Sequence, residues 1–310
     1  MSDSTSASGP PPGAGLTRAP IDLARRRRPA ESVIRKVLQI SAMVSVLITF
    51  GIIAALIEPV LHFFRQVSLG DFFSTEGTYA VLPLIAGTAM TTVVALVVAV
   101  PLGLGAAMYL SEYASKRARK LLKPTLELLA GVPSVVYGFF ALSFVTPTLL
   151  QDILNLEVNF TNALAAGLVL GVMIIPTIAS LSEDALSAVP QAMRQGSLAM
   201  GANRMQTTIR VVLPAALSGV AAAVVLGLSR AVGETMIVAL AAGARKNLSF
   251  DPREGMQTMT GFIAQTAGGE SPVGSVDYNM LFAVGLLLFL ITLGINAISI
   301  SIVRRYRQAY

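Results

Sequence analysis

Cysteine and tryptophan are absent from this 310-residue chain, and histidine occurs once, at His62. Without cysteine there is no disulfide and no thiolate metal site. A lone histidine leaves no pair for a metal centre or an acid–base relay. Charge is also scarce: Asp, Glu, Lys and Arg make up 13% of the residues, against roughly 25% in soluble domains. None of Lys36, Lys116, Lys120, Lys123 and Lys246 follows a glycine, so the chain has no Walker A loop for a nucleotide phosphate. With no thiol, no histidine pair and no exposed carboxylate dyad, enzymatic catalysis is the function class the sequence least supports.

Apolar side chains fill the space instead. Hydrophobic residues make up 54% of the chain, and mean hydropathy is +0.69. Six apolar runs, at about 37–57, 82–110, 126–145, 162–181, 215–242 and 280–303, each reach the ~20 residues a helix needs to cross a bilayer. The predicted fold class is therefore an all-α membrane protein with six transmembrane helices. The first run is longer than a signal-peptide core and is followed by Glu58-Pro59, not by a small-residue cleavage site, so it is expected to remain a span, with a first-helix segment of 37–64. Ahead of it, residues 1–36 begin rich in Ser, Pro, Gly and Ala and end basic, which predicts a disordered tail. Three small-residue motifs are expected to shape the spans. PLGLG from Pro101 and GVPSVVYG from Gly131 should bend or break their helices, which protein neighbours can tolerate. Gly167-x-x-x-Gly171 should let another helix approach closely.

Basic residues set the orientation. With the N-terminus inside, 18 of the 23 Lys and Arg fall on the cytoplasmic side, in the tail, in the loops after the second and fourth runs, and at the C-terminus. Arg65, Arg245, Lys246 and Arg253 fall outside, and Arg230 lies within the fifth run. This is the positive-inside pattern, and it puts both termini in the cytoplasm. The net charge of +6 thus reflects topology and membrane contact, not nucleic-acid binding. The outside loop at about 243–279 carries Arg245, Lys246 and Arg253 against Asp251, Glu254, Glu270 and Asp277. Such a balance is no trap for an anion. Contact with a separate substrate-carrying protein is the use expected of this loop, with a passive linker as the plain alternative.

The most structured polar stretch is QGSLAMGANRMQTTIRVVLP, residues 195–214. Pro190 suits the first turn of a short helix, and Gly201 suits a left-handed stop. Met205, Ile209 and Val212 are spaced to share one face of a second helix, which Pro214 closes. Gly201, nine intervening residues, then Val211, Leu213 and Pro214 resemble the coupling loop of ABC-importer permeases. Gln195, Gly196 and Ser197 stand where that family opens with Glu-Ala-Ala. The resemblance implies a helix–elbow–helix at about 190–214 on which a cytoplasmic ATPase docks, with Ala199, Met200, Ala202 and Met205 in its cleft.

Inside the fifth run, LSRAVGETM places Arg230 four residues before Glu234. An arginine at a span centre costs ~2.5–3.5 kcal/mol on insertion scales, so it should face protein or an aqueous path. A separation of four predicts both side chains on one helical face. Two readings stand open: Arg230 meets an oxyanion in passage through its planar fork, or Arg230 and Glu234 neutralise each other and hold helices together.

Four further segments, VPLGLGAAMYLSEYA from Val100, LLAGVPSVVYGFFAL from Leu128, MIIPTIASLSEDALSAVP from Met173 and SRAVGETMIVALAAG from Ser229, are similar to those of the C-type permease of phosphate-specific ABC importers. The resemblance covers about residues 60–305. It implies the type I ABC importer permease fold, with the permease domain at 80–305, in a bacterial inner membrane. It also implies a heterodimer with an A-type sibling permease, two copies of a cytoplasmic ATPase that hold the ATP and Mg, and an extracytoplasmic phosphate-binding protein. This chain itself would hold no cofactor. The implied function is ATP-driven import of inorganic phosphate by alternating access. A permease for another oxyanion, such as molybdate or sulfate, and an ATP-independent anion carrier using Arg230 and Glu234 are the alternatives.

Overall fold

A computed structural model describes residues 29–269 and 271–305; residues 1–28 of the predicted tail lie outside it. The chain divides into two units, residues 1–52 and 53–310. Helix α1 (Pro29–Phe64) provides all that is described of the first unit. It starts eight residues before the predicted span. A proline is at home in a first turn, and no glycine or further proline interrupts residues 30–36, so the helix takes in residues 29–36 of the predicted tail.

In the second unit, α2 (Leu69–Phe72) is a single turn capped by the Ser68 hydroxyl. Helix α3 (Leu82–Met108) opens with a proline in its first turn and continues through a π-wound turn, Tyr109–Tyr113. The break predicted at 101–105 is not present. Pro101 removes one backbone hydrogen bond, while Ala99, Gly103 and Ala107 are buried on either side of it, and that packing carries the helix through. The second predicted break is present: α4 (Lys116–Ala130) ends at Gly131, and α5 (Ser134–Phe140) starts after Pro133 and runs on π-wound over Ala141–Ile153. The third crossing therefore lies at 134–153, later than predicted, because α4 carries cations through Lys123.

Helix α6 (Ala163–Ser187) is the centre of the unit. The Asn162 side chain caps its start, accepting the Ala165 N–H at 2.7 Å. It lies directly on α3, as the glycine spacing predicts. A Cβ at Gly167 would sit 2.6 Å from the Val94 side chain, and one at Gly171 would sit 2.9 Å from the Ala95 carbonyl oxygen. Only hydrogen fits there, and the two backbones meet.

The remaining elements are α7 (Gln191–Ala199), α8 (Arg204–Thr207), α9 (Leu213–Ala215), α10 (Leu217–Val232), α11 (Met236–Ala241), α12 (Met259–Ala267) and α13 (Val276–Arg305). Among the described residues five helices are long and apolar enough to cross a membrane, and a sixth is reached by counting the pair 204–215 and 217–232, bent by 74°, as one. The predicted fifth run at 215–242 is thus not one helix. Its 16-residue core, α10, spans only about 24 Å before residues 233–235 interrupt it. Helix α12 has no counterpart in the sequence reading, which left 243–279 as an outside loop. It is nine residues long, shorter than any span, yet Met259, Thr260, Gly261 and Phe262 are buried. Its first N–H, on Met259, reaches the Thr88 hydroxyl of α3 at 2.9 Å.

Candidate functional site

At the end of α6 that leads into α7, the structure builds the expected helix–elbow–helix. Pro190 stands just before α7. Gly201 takes a positive φ of +85°, and the elbow is closed by Gly201 N–H to Leu198 O at 3.0 Å and Ala202 N–H to Ser197 O at 3.2 Å. Asn203 and Gln206 then cap each other's backbone, at 3.0 and 2.9 Å, and start α8. Ser197 and Thr207 share a hydrogen bond of 2.9 Å that fastens α7 to α8.

The unit presents apolar side chains outward. Met200 is 89% exposed and Met205 58%; Gln195, Gly196, Ala199 and Pro214 are also exposed, with Ser197, Ala202 and Leu213 half-buried. One detail differs from the sequence reading. Met205 and Ile209 share the exposed side, but Val212 is fully buried. The turn over Thr208–Val212 is π-wound, which adds a residue to the turn and rotates Val212 inward. There it packs with Ala107, Leu186, Val189, Ala216 and Val220.

In the membrane-crossing region the structure separates Arg230 from Glu234. Helix α10 stops at Val232, so the two do not share a helical face. No ion pair joins them among the described residues. The Glu234 carboxylate instead turns to α11, accepting the Met236 N–H at 3.0 Å and the Ile237 N–H at 3.4 Å. It thereby satisfies donors that every helix start leaves open. The Glu234 carbonyl accepts from the Thr260 hydroxyl at 2.7 Å, and Gln265 donates to the Ala239 carbonyl at 3.3 Å. Helix α12 is what makes the break affordable, since backbone groups freed inside a membrane must find partners. Arg230 is left exposed, and among the described residues its hydrogen bond runs from Nη1 to the Thr177 hydroxyl at 3.2 Å. The mutual-neutralisation reading of the pair is therefore wrong in geometry.

Residues 99–308 match the family described as "Binding-protein-dependent transport system inner membrane component". Over 218 residues, 70% of either chain, 39% of positions are identical to the "Probable ABC transporter permease protein YqgH" of Bacillus subtilis. Identity is 36% over 280 residues with the "Phosphate transport system permease protein PstC 1" of Mycobacterium tuberculosis, covering 79% of this chain and 82% of that one. The chain belongs to the binding-protein-dependent permease family. A bacterial ABC transporter involved in alginate import shares the fold at a TM-score of 0.64 and 16% identity, over 90% of this chain and 99% of the other. The permease is accordingly a multi-pass protein of the bacterial inner membrane with the type I ABC importer permease fold.

At the opposite end of α6, residues 243–258 of the permease are not a free linker. Asn159, Ala163 and Leu164 N–H groups donate to the carbonyls of Arg253, Glu254 and Pro252 at 3.1, 3.0 and 2.7 Å. A cavity of about 510 Å³ opens beside them, lined by Asn159, Thr161, Arg245, Lys246, Asn247 and Glu254. Lys246 reaches inward from it, donating to the Thr78 carbonyl, with its ammonium 5.0 Å from the centre of the Phe262 ring. Burial pushes this ammonium down to about 8 from an ordinary 10.5, against the pull of Asp277. A folded pKa below the unfolded one means the unfolded chain holds the proton longer. Raising the pH from about 8 toward 10.5 therefore stabilises the fold at this position, and below 8 the burial cost stands in full. The melting temperature of the purified permease is expected to climb across that window relative to Lys246→Met. Parallel profiles for the two proteins would show that the ammonium is not buried.

Sequence reasoning missed a group at the α7 end. Glu183 is fully buried at the close of α6 and takes Arg119, Lys123 at 2.7 Å and the Ser187 hydroxyl at 2.8 Å. Lys123 also holds Asp184 at 2.6 Å, and hydrogen bonds to both carboxylates raise its pKa. The available signal was an acidic pair ending an apolar run, because a carboxylate carried inside needs a cation.

Proposed function

We propose that this permease is the C-type subunit of an ATP-driven phosphate importer, passing phosphate from an extracytoplasmic binding protein to the cytoplasm by alternating access. The observation that carries the reading is the exposed apolar face of the helix–elbow–helix, Met200 above all, on a polar, basic unit that leads into a crossing segment. An apolar patch in that position marks a docking surface, and the chain has no nucleotide loop of its own. The partner would be two copies of a cytoplasmic ATPase, which supply the ATP and Mg; a sibling A-type permease would complete the membrane part. Phosphate as substrate rests on the names of the PstC relatives and on Arg230.

In this reading both termini and α7–α9 are cytoplasmic, and residues 243–258 face the binding protein. Rigid stitching of that segment to α6 lets docking there move a crossing helix. Arg230 is a guanidinium with a neutral partner beside a break in a crossing segment. Its fork matches two phosphate oxygens, and a single site of this kind holds an anion loosely enough to release it. The Thr177 hydroxyl keeps the fork in place between passages.

The test is purification of the complex from a bacterial membrane, followed by ATPase assay with and without phosphate-loaded binding protein. Recovery of a second permease and an ATPase, with stimulation by the loaded form, is the expected result. Stimulation by a molybdate- or sulfate-loaded protein instead would change the substrate. A chain that purifies alone and moves an anion in liposomes without ATP would overturn the importer.

A further inference from the structure

Arg194 sits on α7, the helix that carries the exposed docking residues, yet it is only 8% exposed. Its guanidinium is spent on two other elements. Nε and Nη2 donate to the Glu112 carboxylate, the shortest contact 3.0 Å, on the π-wound end of α3. Nη2 also donates to the Leu186 carbonyl at 2.7 Å, and Nη1 donates to the Val189 carbonyl. Leu186 lies in the last turn of α6 and Val189 two residues beyond its end, so the arginine grips both α6 and the link that leads into α7. One side chain thus ties α7 at once to α3 and α6, the pair whose backbones touch at Gly167 and Gly171. Glu112 is itself largely buried, with 12% of its side chain accessible.

We propose that Arg194 is the positioning residue that couples the docking unit to the crossing helices. Movement imposed on Met200 by the ATPase passes through Arg194 to α3 and α6 instead of rocking α7 alone. The proposal rests on the docking reading above. Other contacts between this unit and the core are weaker in direction, an apolar cluster through Val212 and Ala216 and the Tyr113 hydroxyl on Met205 Sδ at 3.6 Å; such contacts can slide where a bidentate charged pair fixes direction. The ion pairs of the Glu183 group next to it join α4 to α6.

The experiment uses the whole complex in proteoliposomes and reads three quantities: ATPase association, by cross-linking from Met200→Cys; ATP hydrolysis stimulated by loaded binding protein; and phosphate moved per ATP. For Arg194→Met we expect association and unstimulated hydrolysis within about twofold of the parent, but stimulation by loaded binding protein largely lost and phosphate per ATP at least tenfold lower, because a link that carries movement one way carries it the other way too. Arg194→Lys keeps the charge without the fork and should recover part of that ratio; Glu112→Gln, which keeps acceptors but loses the charge, should fall between. Associated variants with an unchanged ratio would overturn the proposal. So would loss of the assembled complex in Arg194→Met, Arg194→Lys and Glu112→Gln alike, which would make Arg194 a folding residue. Failure of the parent complex to cross-link at Met200→Cys would defeat the docking reading itself, before Arg194 is considered.

Discussion

Replacing Arg230 by glutamine is expected to lower phosphate uptake roughly tenfold to a hundredfold while leaving the assembled complex intact. The estimate follows from the geometry. Among the described residues Arg230 has no carboxylate partner, and its hydrogen bond goes to Thr177. Its removal therefore strands no buried charge, which is what makes substitutions in buried pairs damaging to folding. On the proposed role, what is lost is a charge-assisted hydrogen bond to a passing anion, about 1.5–3 kcal/mol. Lysine at this position should be intermediate, because an ammonium supplies charge but not a planar fork. Initial rates of labelled phosphate uptake, normalised to complex recovered, measure the effect. Unchanged rates in Arg230→Gln would remove the residue from the path. Glu234→Gln should behave differently: the amide oxygen still accepts the Met236 and Ile237 N–H groups, so the break survives and uptake changes little.

That contrast was not legible in the sequence. Arginine and glutamate four apart in an apolar run look like a helical pair, and the pattern holds only if the helix continues. Gly233 between them was the available hint, since glycine is poor in a helix interior. The partner of the break is tertiary: Thr260 of α12 donates to the Glu234 carbonyl inside it, and α12 is too short and too mixed to be seen in hydropathy. By contrast, the α3–α6 contact and the Gly201 elbow were legible, because each depends on a residue type with one steric meaning, no side chain at Gly167 and Gly171, a positive φ at Gly201. Val212 was misplaced because a periodicity of 3.6 assumes α winding and the chain winds wider there. Arg194 and Glu183 were invisible as pairs, since their partners lie 82 and 60 or more residues away in sequence. Only the general need of buried charge for a partner could have pointed to them.

Met200→Asp is expected to give the second large effect: loss of ATPase from the purified complex and, with it, of uptake. Met200 is 89% exposed, so the substitution should change the permease's own unfolding free energy by no more than the roughly ±0.5 kcal/mol of ordinary surface changes. In an apolar cleft of a partner the same carboxylate is desolvated without a mate. Central interface residues cost about 2–4 kcal/mol when lost, a factor of roughly 30 to several hundred in affinity. Gly201→Val should reach the same end by another route. Open space surrounds the glycine, with nothing within 4 Å of a built Cβ, so no clash arises; its φ of +85° is one a β-branched residue avoids. The elbow would relax and turn Met200 away from the direction set by α7. The two variants separate chemistry from geometry: Met200→Leu should restore docking at the first site, whereas at 201 only a residue tolerant of positive φ, such as asparagine, should do so. Normal ATPase retention in both Met200→Asp and Gly201→Val would place the docking surface elsewhere on the permease.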